Sequence, residues 1–173
     1  MSEDSNQTPK STEAELIAVR RDKMARLRDL GVDPFGGRFE TDHEIHQLRE
    51  EFSEEVRVKV AGRITAHRDM GKSHFFDIAD FRGRIQCYLN AKAVGEENFE
   101  IFKQLDLGDW IGIEGETFNT KVGEPTVKVE SVVVLSKSLR PMPDKFHGLT
   151  DVEIRYRQRY LDLMSNKRSR EVF

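Results

Sequence analysis

HFFDIADFRGRIQCYL, residues 74–89, sets two alternating apolar segments around the polar turn DFRG. Alternation on both sides of a short turn is the pattern of an antiparallel hairpin. Neighbours on a strand point to opposite faces. Phe76 and Ile78 therefore share one face of the first segment, and Phe75 and Asp77 the other. On the second segment Ile85, Cys87 and Leu89 point one way, and Arg84, Gln86 and Tyr88 the other. The apolar sets make the core. That leaves the ring of Phe75 on the outer surface with Arg84, Gln86 and Tyr88. Across a four-residue turn Gln86 falls opposite Asp77, so Phe75 is its diagonal neighbour within side-chain reach.

The same period continues upstream. EVRVKVAGRIT, from residue 55, places Val56, Val58, Val60 and Ile64 on one face and Arg57, Lys59, Ala61 and Arg63 on the other. Downstream, residues 94–106 read as a helix with Phe99, Phe102 and Leu105 as its apolar edge. DWIGIEGETF and TVKVESVVVL then supply two more strands, joined by the turn TKVGEP. Three strands, a helix and two strands fit a five-stranded OB-fold barrel, with Gly62, Gly112 and Gly115 suited to a tightly bent sheet. A small β-barrel with another strand order is the plainer alternative. The fold class is thus mainly β with helices (α+β): an OB-fold β-barrel preceded by N-terminal helices and followed by a linker and one helix.

The flanks complete the domain organisation. Residues 1–11 lack apolar content and are expected to be disordered. Residues 12–53 form an N-terminal helical extension. Its first helix opens with a capping box, Thr12 with Glu15, and carries Leu16, Val19, Met24, Leu27 and Leu30 as an apolar stripe. Arg21, Arg26 and Arg28 flank that stripe, Arg20 and Lys23 intrude on it, and Gly31 ends the helix. These cations are either a solvated face or an offering to phosphates. TDHE is a second capping box, before a helix over 42–52. The barrel spans 54–137. Residues 138–173 begin with a proline-containing linker. Thr150 and Glu153 then form a third capping box, opening a helix over 151–164 with Ile154, Leu161 and Met164 inward and Asn166 at its end. The arginines of RYRQR, 155–159, read as a solvated face.

Bulk properties exclude several classes. The 173 residues are 34% charged and 37% hydrophobic, with net charge -3, so no global basic field advertises nucleic acid; local patches remain able to bind it. One cysteine, Cys87, excludes a disulfide framework and a thiolate zinc cluster. The five histidines lack metal-ligand spacing, and His43 and His46 read as a solvated helix face. The longest aliphatic run, VVVL, is too short to span a bilayer, and the polar N-terminus has no signal peptide. A cytoplasmic, reducing location without membrane association is the expectation.

The outer face carries the chemistry. An aromatic platform beside an amide and guanidinium groups suits an unstacked base, and a base stacked on Phe gains about 1–3 kcal/mol. Uracil offers an N3–H donor between two carbonyl acceptors, which the carbonyl and NH₂ of Gln86 can meet. The plainer reading has the N-terminal helix covering Phe75 and Gln86 merely solvated. Arg68 lies in the turn AHRDMGKSH; strict alternation points it inward, so a bend near Gly62 or the turn must reorient it. Glu124, in the turn between strands four and five, is most simply a solvated hairpin residue. Both turns border the usual ligand face of an OB barrel. No catalytic residue, phosphate loop or metal motif is recognisable.

The stretch LRPMPDKFHGLTDVEIRYRQRYLDLMSN, residues 139–166, with MGKSHFFDIADFRGRIQCYL and LGDW, resembles the N-terminal part of bacterial-type class II lysyl-tRNA synthetases. The resemblance covers nearly all of the chain after residue 12. It implies an OB-fold anticodon-binding domain whose partner is the anticodon stem-loop of tRNA(Lys), whose anticodons are rich in U. It implies that Phe75 stacks on the central anticodon uridine, that Gln86 reads that base's edge, that Arg68 contacts the same region, and that Glu124 lies near the first anticodon base. It further implies a homodimeric full-length enzyme using ATP and magnesium to join lysine to its tRNA. The class II motifs for that reaction would follow Phe173, so this polypeptide alone is expected to be inactive. The alternative is a general single-stranded nucleic-acid-binding OB module without sequence preference.

Overall fold

The structure is a computed structural model that describes residues 12–142, 149 and 151–173. The expected disorder of residues 1–11, and the Thr150 cap, lie outside them. Five strands close into a barrel in the order β1 (Arg57–Asp69), β2 (Ser73–Ala79), β3 (Arg84–Asn90), β5 (Pro125–Ser136), β4 (Trp110–Asn119). All neighbours pair antiparallel except β3 with β5, which run parallel over Gln86–Tyr88 and Thr126–Lys128. The inward set is the alternating apolar one: Val58, Val60, Phe76, Ile78, Ile85, Cys87, Leu89, Ile111, Ile113, Val127 and Val129 are each at most 1% exposed. The barrel fold is the one expected. Gly115 shows why the sheet needs glycine there: a Cβ on it would sit 2.1 Å from the Lys128 carbonyl oxygen.

Helix α3 (Ala91–Lys103) starts three residues before its expected position. The Asn90 side chain caps it by accepting from the Lys92 N–H, and Gly95 (φ 79°) breaks its regular path. Val94, Ile101 and Phe102 are buried against the core.

The N-terminal extension straps the β4–β5 side of the barrel. Lys137 N donates to the Pro34 carbonyl at 2.8 Å, and Asp42 exchanges two bonds with the Lys59 backbone, one through each of its own main chain and carboxylate. Phe39 lies over Gly112, where a Cβ would meet its ring at 2.6 Å. The capping box of α1 (Glu13–Asp29) forms as expected, and Gly31 adopts a left-handed φ of 78° just past the helix. The expected apolar stripe of α1 is corrected, however. Leu16, Val19 and Leu30 are exposed, whereas Arg20 is buried with Leu27. The Arg20 guanidinium donates to the carbonyls of Ser138, Arg140 and Leu107 at 2.9–3.0 Å, so its charge is hydrogen-bonded rather than stranded. Close by, fully buried Lys137 donates to Asp106 and Asp109 at 2.6 and 2.7 Å, and Lys23 donates to the other oxygen of Asp106 at 2.5 Å. Burial pushes the Asp109 carboxyl up, whereas at Asp106 the two lysines outweigh burial and hold it down.

One other expected cap is also corrected. TDHE is no capping box: α2 is shorter than expected (Ile45–Glu50), Glu44 makes no side-chain cap, and the Ile45 N–H is met instead by the Asp80 carboxylate from the β2–β3 turn at 3.2 Å. Residues 141–173 form a second compact unit. There the single expected helix over 151–164 is two short ones, α4 (Val152–Arg157) and α5 (Arg159–Ser165), and a third, α6 (Lys167–Val172), follows Asn166. Asp151 caps α4, accepting from the N–H groups of Glu153 and Ile154, and Asn166 caps α6. Ile154 is exposed. The unit's buried centre is Asp162, which accepts from Arg155, Arg159 and Ser169 at 2.7–2.8 Å. The arginines of RYRQR are thus partly structural.

Candidate nucleic-acid interface

Strand β1 enters with its valines inward, and a β-bulge then changes its phase. Ile64 pairs with Ile78, but Ala66 pairs with Asp77, so Thr65 is the extra residue. One extra residue exchanges the two faces of everything beyond it. Arg68 consequently turns outward opposite Phe75. The reorienting bend lies at Thr65, a few residues past Gly62.

On the outer face the hairpin register places Phe75 opposite Tyr88 and Asp77 opposite Gln86. Phe76 is 1% exposed inside the barrel; Phe75 is half-buried outside it. Its ring centroid lies 4.9 Å from that of Tyr88, and the Arg68 guanidinium carbon is 6.0 Å from it. Phe118 of β4 meets Tyr88 edge-on at 6.2 Å, extending the aromatic surface towards the β4–β5 turn. The Tyr88 hydroxyl is held by Ser73 at 3.2 Å, and Ser73 in turn accepts from Asn90 at 3.0 Å. Among the described residues, the polar side-chain contacts of α1 with the barrel unit are to Leu107, Asp106, Ser138 and Arg140, none of them on β1, β2 or β3.

Polar groups converge beside the rings. Arg68 Nη2 donates to Gln86 Oε1 at 3.1 Å. Gln86 Nε2 donates to Thr126 Oγ1 at 2.9 Å, and that hydroxyl donates to the backbone carbonyl of Glu124 at 2.9 Å. Arg84 donates to the buried Asp77 carboxylate at 2.8 Å, which spends its charge within the hairpin. Of the four residues singled out in the sequence, Arg68, Phe75 and Gln86 meet. The Glu124 carboxylate does not join them; it lies 3.8 Å from Arg49 of α2, and only the backbone of Glu124 reaches the relay. Sequence reasoning missed Thr126, Phe118 and Arg49. Outward alternation in β4 and β5 could have placed Phe118 and Thr126 on the right face, but their neighbours depend on the parallel β3–β5 closure.

The arrangement supplies an aromatic surface for stacking, one fixed amide for reading a base edge, and guanidinium groups for phosphate or carbonyl oxygens. Among the described residues, no three His, Cys, Asp or Glu side chains are grouped to hold a metal, and no helix is long and apolar enough to cross a membrane.

Comparison with known proteins agrees with this geometry. A family model described as the OB-fold nucleic acid binding domain, of the tRNA anti-codon type, matches residues 58–135. The lysine-tRNA ligase of Pelotomaculum thermopropionicum is 53% identical over 161 residues, covering 92% of this chain and 32% of that protein. The lysine-tRNA ligases of Bacillus cytotoxicus and Shouchella clausii are each 51% identical, covering 91% and 92% of this chain and 33% and 34% of their own lengths. The chain thus spans about a third of the length of the curated relatives it matches. An outward aromatic and amide on a closed five-stranded barrel, within a sequence half identical to these ligases, lead to one assignment: the chain carries an OB-fold domain of the tRNA anti-codon type and is similar, over nine-tenths of its length, to the N-terminal third of lysine-tRNA ligases.

Proposed function

We propose that this chain reads the anticodon of a lysine tRNA through the outer face of β1, β2 and β3. Phe75 stacks on the central anticodon uridine, Gln86 pairs with the edge of that base, and Arg68 holds the amide while facing the same nucleotide. Glu124, beside Arg49 at the barrel rim, borders the first anticodon base. The reading is carried by one observation: the phenyl ring next to the core residue Phe76 lies outside the barrel, against a hydrogen-bonded glutamine amide.

The wider activity belongs to the same proposal. The lysine-tRNA ligases attach lysine to tRNA, and the resemblance implies ATP, magnesium, a homodimer and a cytoplasmic setting for the whole enzyme. The interface offers amides, hydroxyls and guanidinium groups, and the Asp77 carboxylate on the same face is already bound to Arg84. That set does not fit a nucleotide-bound magnesium, and no step through ATP is derived from this chain. Recognition is assigned to these 173 residues and aminoacylation to the part of the relatives that they do not span. Alone, the chain is expected to release no pyrophosphate from ATP and lysine.

The test is fluorescence-anisotropy titration against two anticodon stem-loops that differ by U or C at the central position, at one fixed salt concentration. Tighter binding of the U loop is expected. Equal binding of both loops would replace this reading with that of a general single-strand module.

A further inference from the structure

We propose that Thr126 is a positioning residue for base choice: with Arg68 it locks the Gln86 amide in one orientation, and that orientation makes the site select uracil over cytosine. The inference rests on the anticodon reading above and adds to it a residue and a cause of specificity.

Two constraints act on the amide independently. A guanidinium can only donate, so the amide atom facing Arg68 Nη2, at 3.1 Å, must be the oxygen. The Thr126 hydroxyl has a single proton, and the Glu124 carbonyl takes it at 2.9 Å. Only lone pairs of Thr126 Oγ1 remain for Gln86, so the atom facing it, at 2.9 Å, must be the NH₂. Thr126 is 0% exposed, which denies its hydroxyl an alternative partner in water. Both neighbours therefore demand the same orientation. After these bonds, Gln86 keeps one lone pair on Oε1 and one N–H on Nε2.

That residue of bonding capacity is what meets a base. Uracil presents an N3–H donor beside a carbonyl acceptor. Cytosine presents the inverse, an N3 acceptor beside an N4–H donor. An amide free to turn over can serve either edge. A locked amide serves one, because the other base sets lone pair against lone pair and N–H against N–H, leaving polar groups unmet in a desolvated contact. Stacking on Phe75 fixes the base plane but is indifferent to this inversion, since every base has a π-face.

Wild type, Thr126→Val and Thr126→Ser are titrated against the U and C stem-loops at fixed salt, with a thermal melt of each protein. Valine keeps the branched shape and removes both hydroxyl bonds. The expected result is that Thr126→Val lowers the U-over-C preference by about tenfold, the size of a single hydrogen bond, and that serine restores it. A Thr126→Val protein that melts like wild type and keeps the wild-type ratio overturns the proposal. A wild type with no U preference overturns the anticodon reading itself, which is a different outcome. A second measurement needs no RNA and no variant: hydrogen exchange of the Gln86 side-chain amide by NMR. One of its two protons should exchange markedly more slowly than the other; two equally fast protons would show an amide that is not locked.

Discussion

At the scale of residues, two adjacent phenylalanines carry different duties. Phe76 is sealed in the barrel, so Phe76→Ala should cost about 3–5 kcal/mol of stability in chemical denaturation. Phe75 lies outside, so Phe75→Ala should leave the denaturation midpoint nearly unchanged and weaken stem-loop binding by about 1–3 kcal/mol in anisotropy titrations. Equal loss of stability from both changes would refute the assignment of faces. This division was legible in the sequence because strand alternation is a local rule. Arg68 was legible only as a conflict: the phase counted from Val58 points it inward, and the extra residue Thr65 that resolves the conflict has no signature in side-chain type. Arg20 was misplaced for a related reason. A cation on a helix is assigned to solvent unless partners are known, and its three carbonyl partners lie 87 to 120 residues further along the chain.

At the scale of elements, close strand crossing and a buried carboxylate make separate demands. Gly115→Ala drives a methyl group into the Lys128 carbonyl, with backbone rather than a flexible side chain in the way. A loss of about 3 kcal/mol is expected, at the upper end of overpacking costs, read as a lowered midpoint of urea unfolding. In the C-terminal unit, burial raises the Asp162 carboxyl, but hydrogen bonds from Arg155, Ser169 and Arg159 outweigh it and hold the group at about 2 against an ordinary 3.8. A folded-state value below the unfolded one gives stability that is full above the ordinary value and disappears as pH falls towards the folded value. NMR signals of Arg155 and Ser169 should therefore hold steady down to about pH 4 and change between about pH 4 and 2. Asp162→Asn should remove that transition. The first two short helices here were read as one because their break, at Gln158, lacks glycine and proline, whereas the end at Asn166 was foreseen.

At the scale of the molecule, the first unit ends at Arg140, whose carbonyl accepts from Arg20 and from the Ser138 hydroxyl. A chain ending after Arg140 should keep the thermal transition of the barrel and bind the U stem-loop within about twofold of the full chain, well under the tenfold that 1.4 kcal/mol represents. A collapse of the melt would show that the C-terminal unit is needed for the barrel to fold. Three strands, a helix and two strands suit a closed barrel, and the number of strands and the place of the helix among them were readable from the succession of elements. The parallel seam between the third and fifth strands was not, because nothing local announces which distant edge a strand will meet.

That seam has a kinetic consequence. Gln86 and Thr126 are 40 positions apart, so the ring-bearing hairpin can form early whereas the fixed amide exists only after the final edge has zipped. During synthesis, a chain still missing its fifth strand would offer a sticky aromatic patch with no power to discriminate. On the anticodon reading proposed above, base choice depends on that seam, and a lesion that frays it should blur the choice before it abolishes RNA capture.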